Sequence, residues 1–495
     1  MATLSSVGIS GSGLDESVIT KLVAVQKQPI TDLNSRTDAI KTKLSTYGQI
    51  QSALSTLRDA ASKLTNPSTW SGSKTATSDA SVAIATASSS AVGTVSLSVS
   101  QLASAQTLAG PTLSGPTATL GQGTVTLELG TWGTDSGGAT TFTSKSGTTP
   151  TSVSIAAGDS LATIRDKING AGAGVTAAIV TDATGSRLTL TSSQTGETNA
   201  FRVTVADGDG NSGDASGLSQ LAYDPSGSVS QMTQTLPAAN ARALLNGLPI
   251  SSESNTLSTA IDGLNITLLK ASSPPATATI AVTQDQDAIK KAISDFTTAY
   301  NAINQLLRNQ TKFDASSLSS DKSADAQKQA QLQRLSSLQG DSTAVGILNQ
   351  LRGIMGGATS LGGSLNRLSD LGLAPGTDGN IPTSSTKLDT AMSKLDDLKK
   401  FFMGIDSSND SNSGFATRIR STVDAMLGTD GSVSSRQTAI QKQIDANNKE
   451  AGKMQDRADA MEKQLRQQYS ALDQTYSKYS NLATYLTQQL SKLSS

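Results

Sequence analysis

Two stretches of the chain carry a seven-residue stripe of apolar positions, and they lie at its opposite ends. Near the N-terminus, Ile40, Leu44, Tyr47, Ile50, Leu54, Leu57, Ala61 and Leu64 recur mostly in alternating steps of four and three. That spacing turns one face of a helix toward a partner. Near the C-terminus, Ile440, Ile444, Asn447, Ala451, Met454, Ala458, Met461 and Leu465 hold the alternation strictly, the pattern of a coiled-coil seam. A shorter stripe, Leu14, Val18, Leu22 and Val25, predicts an amphipathic helix capped by Ser12 or Asp15 and punctuated by Pro29. A second helix is predicted from about Thr31 to Leu64, and a final one from about Ser434 to Leu493.

Between these ends the period changes to two. Strands are predicted at Val82–Ile84, Val95–Val99, Val125–Leu129 and Val153–Ile155. Asp159-Ser160 then caps a helix through Ile164 and Ile168. Further strands follow at Val175–Val180, Arg187–Thr191, Phe201–Val205, Leu244–Ile250, Leu264–Leu269 and Ala276–Val282. Helix returns at Asp285, where Ile289, Ile293, Phe296, Tyr300, Ile303 and Leu307 read as the core stripe of a bundle. Looser helices cover Ala324–Leu338 and Thr343–Met355, and Leu388 to Phe402 forms another. The Ser/Asn/Asp-rich stretch Asp406–Ser413 is read as a loop.

This order predicts an α+β multidomain chain, with a helical or coiled-coil leg formed by both termini, a helical-bundle domain, and β-rich head domains inserted between. The expected divisions are 1–36 with 434–495 as terminal leg segments, and 37–72 with 284–433 as the helical leg domain. Residues 73–111 with 232–283 form a β-rich head, and 112–231 a further β-rich insertion. The C-terminal seam is thinned by Asn447, Ala451, Ala458 and Gln468. A buried Ala contributes far less than the roughly 1.5–3 kcal/mol of a buried Leu, and a helix held so weakly is marginal by itself. The terminal segments are therefore expected to order when they dock in an assembly.

Composition narrows the chemistry. The 495 residues include no Cys and no His. Thiol nucleophiles, imidazole acid–base catalysis, Ser-His-Asp triads and Cys/His zinc sites are excluded. With 39 Lys and Arg against 40 Asp and Glu, and no block of like charge, binding driven by phosphate neutralisation is not expected. No apolar run approaches the roughly 18 residues needed to span a bilayer, so no membrane insertion is expected. No cleaved secretory signal is visible in the first 30 residues.

Asp207-Gly-Asp-Gly-Asn-Ser-Gly-Asp214 reads as a surface turn, with weak cation binding as the alternative. Ser212 stands where a calcium loop needs Gly, and Leu218 where it needs a bidentate Glu. Asp396-Asp397 splay by about 100° on a helix and make no glycosidase pair. No catalytic residue and no cofactor is assigned.

Several segments in order resemble the flagellar filament cap family, hook-associated protein 2. They are Ser12-Gly13-Leu14-Asp15 with Leu22-Val23, Pro29-Ile30 and Leu33; Leu245-Asn246-Gly247-Leu248-Pro249-Ile250 through Ile266-Thr267-Leu268; Gly340-Asp341-Ser342 with Asp378-Gly379-Asn380; and Leu465-Arg466-Gln467-Gln468-Tyr469 with Leu472-Asp473 and Tyr485-Leu486. Tyr469 departs from the Phe more usual there, and residues 111–231 match loosely. The resemblance implies a non-enzymatic homo-oligomeric cap at the filament tip, with flagellin, hook–filament junction proteins and a type III export chaperone or apparatus as partners. It implies export without cleavage and allows a secondary adhesion role. Leu14, Asp15, Leu22, Ile440, Ile444, Met454, Met461, Leu465, Tyr469, Leu472 and Leu486 are the candidate docking residues. Another flagellar axial component would not be expected to carry the block from Asn246 to Leu269. A coiled-coil adhesin would normally need a cleaved signal or an anchor.

Overall fold

The computed structural model describes residues 16–88, 93–227, 229–272, 274–312 and 323–493. The chain forms two compact units, one from residues up to 70 and from 286 onward, the other from 71 to 285. It is an α+β multidomain protein with long terminal helices and several β-sheet layers.

In the first unit, α1 (Glu16–Leu64) ends where Asn66 accepts a hydrogen bond from Ser68 N at 3.0 Å, with Pro67 in the first position of α2 (Pro67–Ser71). Proline there gives up an amide that the helix start leaves unpaired anyway. The indole N–H of Trp70 then donates back to Leu64 O at 2.8 Å, folding the corner shut. The unit continues with α4 (Gln286–Thr311), α5 (Ala324–Ser336), α6 (Ser342–Gly356), α7 (Thr386–Ala391), α8 (Leu395–Met403), α9 (Phe415–Leu427) and α10 (Ser432–Leu493). One core joins α1 from Ile40 to Leu64 with the α4 stripe, α6, α8, α9 and the first turns of α10. At its centre Phe402 stacks on Trp70 (6.1 Å between centroids) and meets Phe296 and Phe401 edge-on.

The second unit is built from strands in four sheets. β1 (Ser73–Thr77), β2 (Ala83–Ala87) and β3 (Gly93–Gln101) open it; β14 (Ala241–Leu245), β15 (Leu248–Ser252), β16 (Thr256–Ile261), β17 (Leu264–Leu268) and β18 (Thr277–Gln284) close it. They form a five-stranded sheet, β1-β18-β3-β14-β15, over a three-stranded sheet, β16-β17-β2, around one apolar core. The β14–β15 hairpin turns at Asn246 and Gly247, both at positive φ (49° and 82°), as an Asn-Gly two-residue turn requires. The Asn246 carboxamide oxygen accepts from Ser96 N at 2.8 Å and ties the turn to β3.

Between β3 and β14 the chain inserts β4 (Thr107–Ala109), β5 (Gly123–Thr134), β6 (Thr140–Ser144), β7 (Thr151–Ile155), α3 (Leu161–Gly170), β8 (Val175–Asp182), β9 (Gly185–Ser192), β10 (Ala200–Asp207), β11 (Tyr223–Asp224), β12 (Val229–Ser230) and β13 (Thr233–Leu236). They make a six-stranded and a four-stranded sheet around a separate core that includes the buried face of α3. Ser160 caps α3 by accepting from Thr163 N, in agreement with the sequence.

Four expectations are corrected. Pro29 does not end a helix: α1 runs through it as one 49-residue element. A proline inside a helix costs about 3 kcal/mol, and burial of Val23 and Ile30 on either side offsets that. The helix expected from Leu388 to Phe402 is broken at Met392–Lys394 into α7 and α8. No strand was predicted between Val125–Leu129 and Val153–Ile155, yet that stretch contains β6, paired to β5. Finally, α9 was not expected, although Phe415, Ile419, Val423 and Met426 mark its buried face.

Candidate functional site

The sequence directs attention to the helices at the two ends, and the structure pairs them. Lys27 lies 3.2 Å from Asp459 and 3.8 Å from Glu462, while Gln437 donates to Gln51 at 3.1 Å. Moving toward the C-terminus of α1 therefore means moving toward the N-terminus of α10, so the pair is antiparallel. Surface ion pairs such as Lys27–Asp459 contribute at most about 1 kcal/mol. They set register more than they hold the helices together.

The seam has a dense end and a thin end. Ile440 and Ile444 are buried in the same core as Tyr47 and Ile40. Farther out, Met454 and Leu465 are half-buried, Ala458 is buried and Met461 is exposed. On α1 the buried apolar positions before Ile40 are Ile30, Val23 and Ile19, while Leu22 stands exposed. Leu14 and Asp15 lie outside the described residues.

Beyond Tyr469, which is half-buried, every described side chain of α10 is exposed. Extending the register places the described start of α1 opposite the neighbourhood of Leu472. There Leu472 (52% exposed), Tyr476, Tyr479 (68%), Leu482, Leu486 (53%) and Leu490 form an open apolar stripe. Four of the seven tyrosines of the chain, Tyr469, Tyr476, Tyr479 and Tyr485, fall in this stretch. Tyrosine presents a large rigid face with a polar tip, suited to surfaces that alternate between water and a partner.

The stripe also changes phase. From Met461 the steps to Leu465 and Tyr469 are both four, after which Leu472, Tyr476 and Tyr479 resume three and four. An extra four-residue step is a stutter, which locally unwinds a left-handed supercoil and turns the seam to a new direction. The outer stripe is thus not a simple continuation of the one that meets α1. Sequence reasoning identified Leu472 and Leu486 but passed over Tyr476, Tyr479 and Leu490, for which this phase change is the signal.

Where the thin seam gives way to the core, Asp341 caps α6 with its side chain 0% exposed. Its carboxylate accepts from Tyr47 OH (2.6 Å), Ala344 N (3.2 Å) and Arg436 Nη2 (2.7 Å), with Lys43 Nζ at 3.4 Å. Burial by itself would raise its pKa, but the Tyr47, Arg436 and Ala344 donors outweigh that and lower it from 3.8 to about 2. A carboxylate with a depressed folded-state pKa contributes its full stabilisation above the unfolded value and loses it as pH falls through the folded one. The helical unit is therefore expected to lose about 2 kcal/mol between pH 4 and pH 2 through Asp341. Urea midpoints over that range, compared with Asp341→Asn, check this, since the variant should lack that component of the pH slope.

No helix among the described residues is long and apolar enough to cross a membrane, and no group of three or more His, Cys, Asp or Glu among them could hold a metal ion. In the Asp207 turn, Asp207 Oδ2 accepts from Ser219 N at 2.8 Å and so braces the loop.

Long terminal helices around inserted β-sheet layers, with an open apolar stripe, define a structural assembly protein. The chain belongs to the flagellar hook-associated protein 2 family, which is not an enzyme family. The family's C-terminal region matches residues 238–481, its N-terminal region residues 12–106, and the flagellin hook IN motif residues 141–194. The flagellar hook-associated protein 2 of Escherichia coli K12 is 31% identical over 99% of this chain and 98% of its own. The B-type protein of Pseudomonas aeruginosa is 27% identical, over 88% of this chain and 86% of its own. The crystal structure of the D1-D2-D3 domains of the E. coli flagellar cap protein FliD covers 80% of this chain and 100% of its own, at 27% identity and a TM-score of 0.59.

Proposed function

We propose that this chain caps the distal end of the bacterial flagellar filament as a homo-oligomer, retaining exported flagellin and promoting its folding and insertion. In this reading the β-rich parts form a plate, and the terminal helices are legs that dock on the filament and release as each subunit enters. The sequence divisions 1–36 with 434–495 and 37–72 with 284–433 are the moving and supporting parts of the leg. Residues 73–111 with 232–283, and 112–231, are the parts of the plate. Leu14, Asp15, Leu22, Ile440, Ile444, Met454, Met461, Leu465, Tyr469, Leu472 and Leu486 are the docking residues, joined by Tyr476, Tyr479 and Leu490.

The observation that carries this reading is the open stripe at the end of α10. An apolar strip wider than a single seam needs a partner to leave water, and a thin seam behind it lets the leg let go. Hook–filament junction proteins and a type III export chaperone or apparatus are its further partners, with export proceeding without cleavage. An adhesive role at the tip is secondary.

A strain lacking this protein is expected to release unpolymerised flagellin into the medium, and added purified protein to restore filaments. A Leu472→Ser, Tyr476→Ser, Tyr479→Ser variant should fold and fail to restore them. Normal filaments without the protein, or full rescue by the variant, would overturn the proposal.

A further inference from the structure

The Asp341 cluster stands where two different kinds of helix packing meet. On its core side α1 is fully buried at Tyr47, Ile50 and Leu54. On its outer side the α1–α10 seam has about one buried apolar residue per heptad, so separating the helices there exposes little surface. Ile40 and Ile444 are the outermost residues of the two helices in the helical core.

We infer that the Asp341 cluster is a pin that confines the separation of α1 and α10 to their outer segments. Lys43 and Tyr47 sit one turn apart on α1, Arg436 on the first turns of α10, and Asp341 at the start of α6. One carboxylate thus ties both terminal helices to a third element. Unzipping could pass this point only by breaking the Arg436, Tyr47 and Lys43 contacts together, which would leave the carboxylate with the Ala344 N–H alone. Opening of the outer seam faces no comparable barrier. Asp341 is accordingly a positioning residue: it sets where the mobile part of the helix pair ends. This holds whether or not the outer stripe docks on a filament.

Hydrogen exchange on the full-length protein tests it. In the wild type, protection should rise steeply across residues 40–47 of α1 and 436–444 of α10. Asp341→Asn keeps a good helix cap but removes the charge. It should speed exchange of those two segments and of the α6 start by about tenfold or more, as loss of a charge-assisted hydrogen bond implies. Exchange in α8, α9 and the β-sheet unit should stay unchanged. Arg436→Gln, at a half-exposed position, should give a smaller effect in the same places and serves if Asp341→Asn does not fold. Unchanged exchange at 40–47 and 436–444, or acceleration spread evenly over α4, α6, α8 and α9, would overturn the inference.

Discussion

Deleting Leu465–Ser495 is expected to abolish filament capping while leaving the rest of the molecule as stable as before. The physical reason is the burial profile of α10. Past Tyr469 every described side chain is exposed, so removing them takes nothing out of a core. Leu465 and Tyr469 are half-buried at the outer seam, and their loss should lower the unfolding free energy by no more than about 1 kcal/mol. What the deletion removes is the open stripe from Leu472 to Leu490. Thermal melts followed by circular dichroism would report the fold, and flagellin in the culture medium would report the function. Filament growth supported by the truncated protein would show that the stripe has no part in capping.

Phe402→Ala is expected to destabilise the helical unit by about 3–5 kcal/mol, the usual range for truncating a fully buried phenylalanine. Phe402 is 0% exposed and contacts Trp70, Phe296 and Phe401, the aromatic centre of that unit. Edge and stacked contacts of this kind add about 0.5–1.5 kcal/mol each beyond buried area. The β-sheet unit has two cores of its own, without a residue from this cluster. Its unfolding should therefore stay where it was, and two transitions should separate in a urea titration followed by calorimetry. A uniform shift of both would mean that the two units unfold as one.

The long helical stripes of α1 after Pro29, α4 and α10 were legible in the sequence because apolar positions at helical spacing form a local pattern that repeats. α9 escaped because its five buried residues fall within a thirteen-residue helix that follows a polar loop. Met392–Lys394 escaped because the apolar spacing on either side stays helical while the backbone tightens. Pro29 misled for a different reason. Its cost is local, and the burial of Val23 and Ile30 that offsets it comes from helices packed on α1 from elsewhere in the chain, α5 beside Asp32 and α10 beside Lys27. At the candidate site, Leu472 and Leu486 were legible from their spacing. Asp341 was visible as part of a motif, but Tyr47 and Arg436 lie 294 and 95 residues away from it. No spacing rule connects them.

By itself the sequence determined the class of this protein: helical ends, a β-rich insertion, no Cys or His for catalysis, and four ordered segments resembling the cap family. These properties reside in composition and short-range periodicity, which survive without knowing what packs on what. The tertiary structure decided which stripes are covered. It packed Ile440 and Ile444 into the core, left Met461 and the stripe from Leu472 to Leu490 open, and brought three distant side chains onto one buried carboxylate. Burial and charge compensation depend on contacts between residues far apart in the chain, so they exist only once the chain has folded.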